Sequence, residues 1–405
     1  MTATGLRRAL LGAFVLGLGF SITLSQSALA ALAVLWLWRL RVPAVRARQT
    51  WPLRGPVLAF AGVTLLSAAL SDHPAASLLA SKGLLLALAL YVTVDALTDA
   101  GEADRFLSAL ALVGGAAALI GLIQVAACPA PAGAGATLAR FFHRCDRARG
   151  FFSIYMTLAG VLTLLLLATA PRVLPGGALR WGAVPPWLLM VLGLAATYVR
   201  GAWLGFVAGM LALVPMVRRG RVPLIVGLAA LVVLALAGPQ QLRHRIRSMT
   251  DPEEPTIKER LYMWRSGVAM WGEHPVLGLG PGGVKRAYPS FALPEAIKKR
   301  TSHVHSTPLQ ILVERGALGF AAWLWIWVAF FVRAGGVLRR LDPRQLRERA
   351  LVLGSLAAVT GFLVAGLSEY NFGDSEVALV MWALMALPFA AVRPAGRHAA
   401  RRGAT

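Results

Sequence analysis

FLSALALVGGAAALIGLIQVAA, residues 106–127, runs for 22 positions without a charged side chain. A helix needs about 20 apolar residues to cross the roughly 30 Å hydrocarbon core of a bilayer, so this stretch reads as a membrane span. Similar runs recur near 8–25, 27–40, 56–71, 83–99, 106–127, 151–170, 183–199, 201–217, 222–238, 307–332, 350–368 and 375–392. Together they predict an all-α polytopic integral membrane protein of about 12 transmembrane helices, because in lipid each backbone polar group must be satisfied within its own helix. The first run, after Arg7 and Arg8, outlasts a signal-peptide core and is followed at once by a second; it reads as an uncleaved first helix.

Composition points the same way. Of 405 residues, 57% are hydrophobic and 15% charged, against about 45–50% and 25% in soluble domains. A soluble enzyme is excluded. Lys and Arg number 41 against 18 Asp and Glu, a net +23. In a soluble chain that would indicate nucleic acid; here most arginines sit in short loops between apolar runs, where they set orientation and meet anionic headgroups of membrane lipids. With the N-terminus inside, 23 of them fall on the cytoplasmic side, whereas the short outer loops carry only Lys82 and Arg200. Both termini are therefore expected in the cytoplasm.

Three regions follow: 1–238, an N-terminal bundle of about nine spans; 239–306, a large outer loop; and 307–405, about three further spans and a short tail. No internal repeat, low-complexity tract or appended soluble domain is visible. The cytoplasmic loops are too short to house a site, so chemistry is expected on the outer face. A second outer loop, near 128–150, holds the only cysteines, Cys128 and Cys145, which in an oxidising compartment would close a disulfide; the alternative is two unpaired thiols.

Four features converge on that face. Arg200, in TYVRGAWLGF, falls between two spans at the membrane boundary, where an arginine is costly unless it snorkels or has a partner. The segment ERLYMWRSGVAMWGEHPVLGLGPGGVKRAYPSF, 259–291, has Leu261, Trp264, Val268, Met270, Trp271 and Val276 at helical spacing, predicting a helix over 257–272 from which Arg260 and Arg265 emerge, with Arg286 further on. Its GLGPGG run at 278–283, including Gly280, contains G-x-G-x-x-G, but no strand precedes it, so a dinucleotide site is rejected. A tight turn is the plain reading; bare backbone N–H groups facing a phosphate are the other. His303 and His305 stand just before a span that Ser306 or Thr307 would cap, placed for a general base. Spaced i, i+2 with no third ligand nearby, they do not form a metal site. Arg144, Arg147 and Arg149 precede a span on the same face; such arginines match phosphate oxygens, or simply solvate a basic loop.

Carboxylates are scarce. DPEEPT, 251–256, reads as a solvated turn, while Glu369, Asp374 and Glu376 are placed to orient a histidine or a hydroxyl. No D-x-D occurs, so a metal-dependent nucleotide-sugar transferase is not supported.

These residues resemble the bacterial O-antigen ligases, which share a superfamily with O-antigen polymerases and protein O-oligosaccharyltransferases. The R-x3-L motif appears as Arg200-Gly-Ala-Trp-Leu204, and H-[NSQ]-x9-G-x-x-[GTY] as His305-Ser306, nine residues, then Gly316-Ala-Leu-Gly319. The superfamily segment R…W…hP..G.G appears as Arg260, Trp264, His274-Pro275, Gly278 and Gly280, with Arg265 close enough to stand in for Arg260. The resemblance implies a GT-C-like glycosyltransferase of the inner membrane with a periplasmic site and no cofactor. It would transfer O-antigen polysaccharide, without a metal and with inversion, from undecaprenyl pyrophosphate to a hydroxyl of lipid A–core, in lipopolysaccharide biosynthesis. His305 would be the base, Arg200 with Arg260 or Arg265 would neutralise the leaving diphosphate, and Arg147, Arg149, His303, Arg286, Trp264 and Gly280 would contact substrate. The competing expectations are an O-antigen polymerase and, from another class, a lipid-linked oligosaccharide flippase; a flippase should carry charges mid-span and needs no base.

Overall fold

The computed structural model describes residues 3–127, 146–174, 180–217, 240–248 and 251–392, with isolated positions between 222 and 237. Cys128, Cys145, Arg144 and most of the run 222–238 lie outside the described residues, as does the tail after 392. Among the described residues there are helices and no strand.

The helices used below are α1 (Ala3–Phe20), α2 (Ile22–Arg39), α3 (Arg54–Ala69), α4 (Pro74–Ala96, with a 3-10 stretch Ser81–Ala87), α5 (Ala100–Ala126), α6 (Tyr155–Arg172) and α7 (Val184–Ala196). There follow α8 (Arg200–Leu213), α9 (Gln240–Arg247), α10 (Pro255–Glu273), α11 (Gly283–Phe291), α12 (Thr307–Arg340), α13 (Leu346–Gly366) and α14 (Ser375–Met385). Six stretches are long and apolar enough to cross a membrane: α2, α4, α5, α6, α12 and α13. Shorter apolar helices cover Arg54–Ala69, Trp181–Ala196, Arg200–Leu213 and Ser375–Ala391. The molecule is thus an all-helical polytopic membrane protein. The first two expected runs divide at Ser21 rather than near residue 26, because the Ser21 hydroxyl accepts the Leu24 N–H and caps α2.

α6, α13 and α14 form the buried centre of the bundle. α8 packs on α13 through Gly201, Gly205 and Gly209, spaced four apart on one face; a Cβ at Gly205 would stand 2.5 Å from the Gly361 carbonyl, and one at Gly209 2.7 Å from that of Ala357. This close backbone approach, typical of helices in lipid, fixes the start of α8 and hence Arg200.

The two ends of the bundle differ. At one, Asp104 of α5 takes Arg172 and Arg180, each at 2.6 Å. At the other, the Gln124 side chain clasps the backbone of Gly150, and Ala148 N–H reaches the Ala196 carbonyl at 2.9 Å, bringing the starts of α6 and α8 together.

α12 is broken at Gly316, whose φ of 62° and ψ of −170° interrupt the helix. Into the break comes the chain from His274 to Gly282: Ala317 N–H donates to Pro275 O at 2.8 Å, and Leu279 N–H to Val313 O at 2.9 Å. Ser67 Oγ clamps the same turn by donating to the carbonyls of Leu277 and Glu314. A small second core (Met263, Met270, Val284, Tyr288, Val304 and Val313) ties α10 and α11 to the first part of α12.

Candidate active site

The helix expected over 257–272 is α10, though rotated from the expected stripe. Gly267 lets Leu309 approach, since a Cβ there would come within 2.9 Å of it. The buried face therefore runs Met263, Ser266, Gly267, Met270, leaving Leu261 and Val268 exposed. Between α10, the starts of α6 and α8, α9 and the 297–305 segment lies a cavity of about 280 Å³. Arg147, Arg200, Arg245, Arg260 and Lys298 line it, together with His305, Glu259 and Glu369.

Arg200, the first residue of α8, is 8% exposed. Its Nη1 donates to the Ser248 carbonyl at 2.8 Å and to Ser248 Oγ at 3.1 Å, and its Nη2 to Glu254 Oε2 at 3.1 Å. The other oxygen of Glu254 accepts from Arg245 at 3.2 Å. Glu254 is therefore not part of a solvated turn. It caps α10 by accepting the Thr256 and Ile257 N–H groups while bracketing two arginines. Burial works to raise its pKa, but the Thr256 hydroxyl, Arg200 and the Ile257 N–H outweigh it and hold the carboxyl down at about 2.

Glu369 does the same for a second pair. One carboxylate oxygen accepts from Arg260 Nη2, and the other stands 3.6 Å from Nδ1 of His305. That distance is too long for a hydrogen bond. It leaves Nδ1 buried without a hydrogen-bond partner, facing the carboxylate. Against the effect of burial, His305 and Arg260 keep the Glu369 carboxyl below its ordinary range. The loop holding Glu369 is fixed by Thr307, whose N–H and Oγ1 both donate to the Glu369 carbonyl at 3.1 and 2.9 Å. Ser306 is the N-cap of α12 but makes no side-chain cap bond, so the expected hydroxyl cap is replaced by this cross-link.

His303 packs edge-on to His305, ring centroids 4.4 Å apart, and against Tyr370 at 5.8 Å. Burial, with the neighbouring His305, lowers its pKa to about 4, so the ring is neutral at pH 7. Of the three non-glycine residues with positive φ among the described residues, Tyr198 at 54° and His305 at 50° both border the cavity. Such backbone costs about 1–3 kcal/mol and concentrates at functional sites.

Other expected residues fall elsewhere. Arg147 borders the cavity with its guanidinium 4.5 Å over the Tyr155 ring, whereas half-buried Arg149 does not line it. Arg265 is exposed and also outside it. Arg286 donates to Ser77 Oγ at 2.8 Å, and Trp264 packs into the small second core. The glycine turn spends the N–H groups of Gly278, Leu279, Gly282 and Gly283 within the protein, and a Cβ at Gly280 would meet Ser71 at 2.6 Å. Sequence reasoning passed over Arg245, Glu254, Glu259 and Lys298. Glu259 accepts the N–H groups of Ile297 and Lys298 and so sets the far wall.

Counting Glu254 behind Arg200 and Arg245 and Asp146 beside Arg147, the five cations meet four carboxylates, a surplus of one positive charge. A second cavity of about 490 Å³ lies beside this one, walled mainly by apolar residues of α2, α3, α4 and α14, with Lys82, Arg315 and Tyr370 among its polar lining. Glu369 and Tyr370, adjacent in the chain, thus face different cavities.

Fold and site define a polytopic membrane protein with an arginine-walled cavity at one end of its bundle. Residues 186–324 match the family model described as O-antigen ligase. This match supports assignment to the O-antigen ligase family and a glycosyltransferase-like ligase or polymerase activity at the family level. It spans Arg200, Arg245, Arg260, His305 and Gly316; Arg147 and Glu369 lie beyond it. No curated protein matches the chain.

Proposed function

We propose that the chain is an O-antigen ligase of the bacterial inner membrane, with the arginine cavity facing the periplasm. It transfers polysaccharide from undecaprenyl pyrophosphate to a hydroxyl of lipid A–core, with inversion and without a metal. The observation that carries this reading is the joint placement of Arg147, Arg200, Arg245, Arg260 and His305 around one cavity.

A diphosphate leaves without needing a proton if its charge is neutralised, and fixed guanidinium groups do this in a partly desolvated site. The surplus positive charge of the cavity suits such a group. As the acceptor hydroxyl attacks the anomeric carbon, the bond from that carbon to the phosphate oxygen breaks and its electron pair leaves with the diphosphate. The hydroxyl proton passes to His305, whose Nδ1 faces Glu369 and whose Nε2 is left to receive it; the Glu369 carboxylate then stabilises the imidazolium. The neighbouring apolar cavity offers room for a lipid chain.

The test is transfer in vitro with purified protein, undecaprenyl-pyrophosphate-linked O-antigen, lipid A–core and EDTA. Polysaccharide on lipid A, lost in His305→Ala and Arg200→Ala and indifferent to EDTA, is the expected result. Longer lipid-linked chains with nothing on lipid A would replace this reading with a polymerase. No transfer to either acceptor would leave the flippase.

A further inference from the structure

α1 and α5 meet at Gly19, where a Cβ would come within 2.2 Å of Val113, and run from there toward the end of the bundle opposite the arginine cavity. From there they part, leaving a wedge of about 660 Å³ lined by Leu11, Gly12, Val15 and Leu16 of α1 and by Phe106 and Leu112 of α5. The wedge opens sideways, since Leu16 is 52% and Leu112 62% exposed. A Cβ on Gly12 would meet nothing within 4 Å.

Three guanidinium groups surround one carboxylate at its mouth. Arg8 donates to Glu102 Oε1 at 2.9 Å, and Arg105 stands 4.0 Å from the same oxygen. The other oxygen is occupied by the N–H and hydroxyl of Thr98. Arg7 donates to the backbone carbonyl of Asp95, whose carboxylate is taken by Arg39. Glu102 therefore offsets one of three positive charges. Arg8 and Arg105 are 67% and 73% exposed, so their free N–H groups point out of the mouth.

We propose that this wedge binds one anionic phospholipid from the leaflet on its side of the membrane. The phosphate sits between Arg8 and Arg105, and one acyl chain lies along Gly12. From Arg8 to Leu16 the helix rises about 12 Å, close to the roughly 15 Å of hydrocarbon in one leaflet. Scattered loop arginines attract anionic lipid diffusely; here a slot of acyl-chain length sits directly beneath the charge. A zwitterionic lipid fills the slot but leaves the charge unanswered.

Native mass spectrometry of the full chain in detergent, titrated with phosphatidylglycerol or phosphatidylcholine of equal chain length, tests this. The wild type should hold one phosphatidylglycerol preferentially. Arg8→Gln with Arg105→Gln should weaken it on the order of tenfold, and Gly12→Leu, which fills the slot without a clash, should weaken it comparably. Arg8→Lys with Arg105→Lys, keeping the charge, should retain it, separating loss of binding from loss of fold. Equal binding of the two lipids overturns the proposal. So does a loss on neutralising the arginines that Gly12→Leu fails to reproduce, which would mean diffuse surface attraction.

Discussion

Glu369 addresses Arg260 with one carboxylate oxygen and His305 with the other, so that one side chain positions both a cation and an imidazole of the cavity. Glu369→Gln keeps the shape and removes the charge. Initial rates of glycan transfer should fall by about 10²-fold, within the 10²–10⁴-fold that an oriented base contributes, and Glu369→Asp should recover part of the loss. Wild-type rates in Glu369→Gln would remove the carboxylate from the mechanism.

Arg200 spends both terminal nitrogens on separate partners, a geometry that a lysine ammonium does not reproduce. Arg200→Lys should therefore lose transfer nearly as fully as Arg200→Ala. A lysine variant with most of the wild-type rate would show that bulk positive charge suffices.

Glu254→Ala removes the cap of α10, worth about 1 kcal/mol, and leaves Arg200 and Arg245 facing each other without their shared carboxylate. The melting temperature in detergent should drop clearly. Glu253→Ala, one residue away on an exposed side chain, serves as the comparison and should melt as the wild type does.

Gly316 has φ of 62°, and a Cβ there would lie 2.1 Å from the Val276 carbonyl. Gly316→Ala should cost about 2 kcal/mol or more, read as a lower melting temperature and poorer recovery of folded protein. Gly62→Ala, in α3 with nothing within 4 Å, should be neutral or stabilising.

His303 titrates near 4 in the folded chain, below the ordinary 6.5, because it is buried and beside His305. The unfolded chain takes up this proton first as pH falls. The stability it contributes is complete above about 6.5 and is lost toward 4, at up to about 1.4 kcal/mol per pH unit. His303→Gln should flatten the dependence of melting temperature on pH across that window; an unchanged slope would place the acid sensitivity in another group.

That the chain crosses a membrane was legible because crossing a bilayer imposes a length and a composition that one dimension can hold; of the twelve expected runs, six described stretches reach that length and four shorter apolar helices do not. Arg200 and His305 were legible because a charge or an imidazole at the mouth of an apolar run is unusual. Arg260 and Arg265 were indistinguishable until α10 had a direction: five residues turn a helix by about 140°, which puts Arg260 on Glu369 and Arg265 outside the cavity. Glu254 and Arg245 were missed because their roles exist only through Arg200, some fifty residues away. The spacing of Gly201, Gly205 and Gly209 was a signal available in the sequence, and it marks the helix that carries Arg200.

The seat of residues 275–282 in the break of α12 has a mechanical corollary. With Ala317, Val313, Ser67 and Glu314 all gripping that turn, the pair α10–α11 is riveted at its Gly282 edge and cannot swing there as a lid. An opening of this pair would hinge on the rivet and part along the opposite margin, where Glu254 latches Arg200 and Arg245. The glycines of that turn are then joinery, and the ion pairs across from them are the margin left to part.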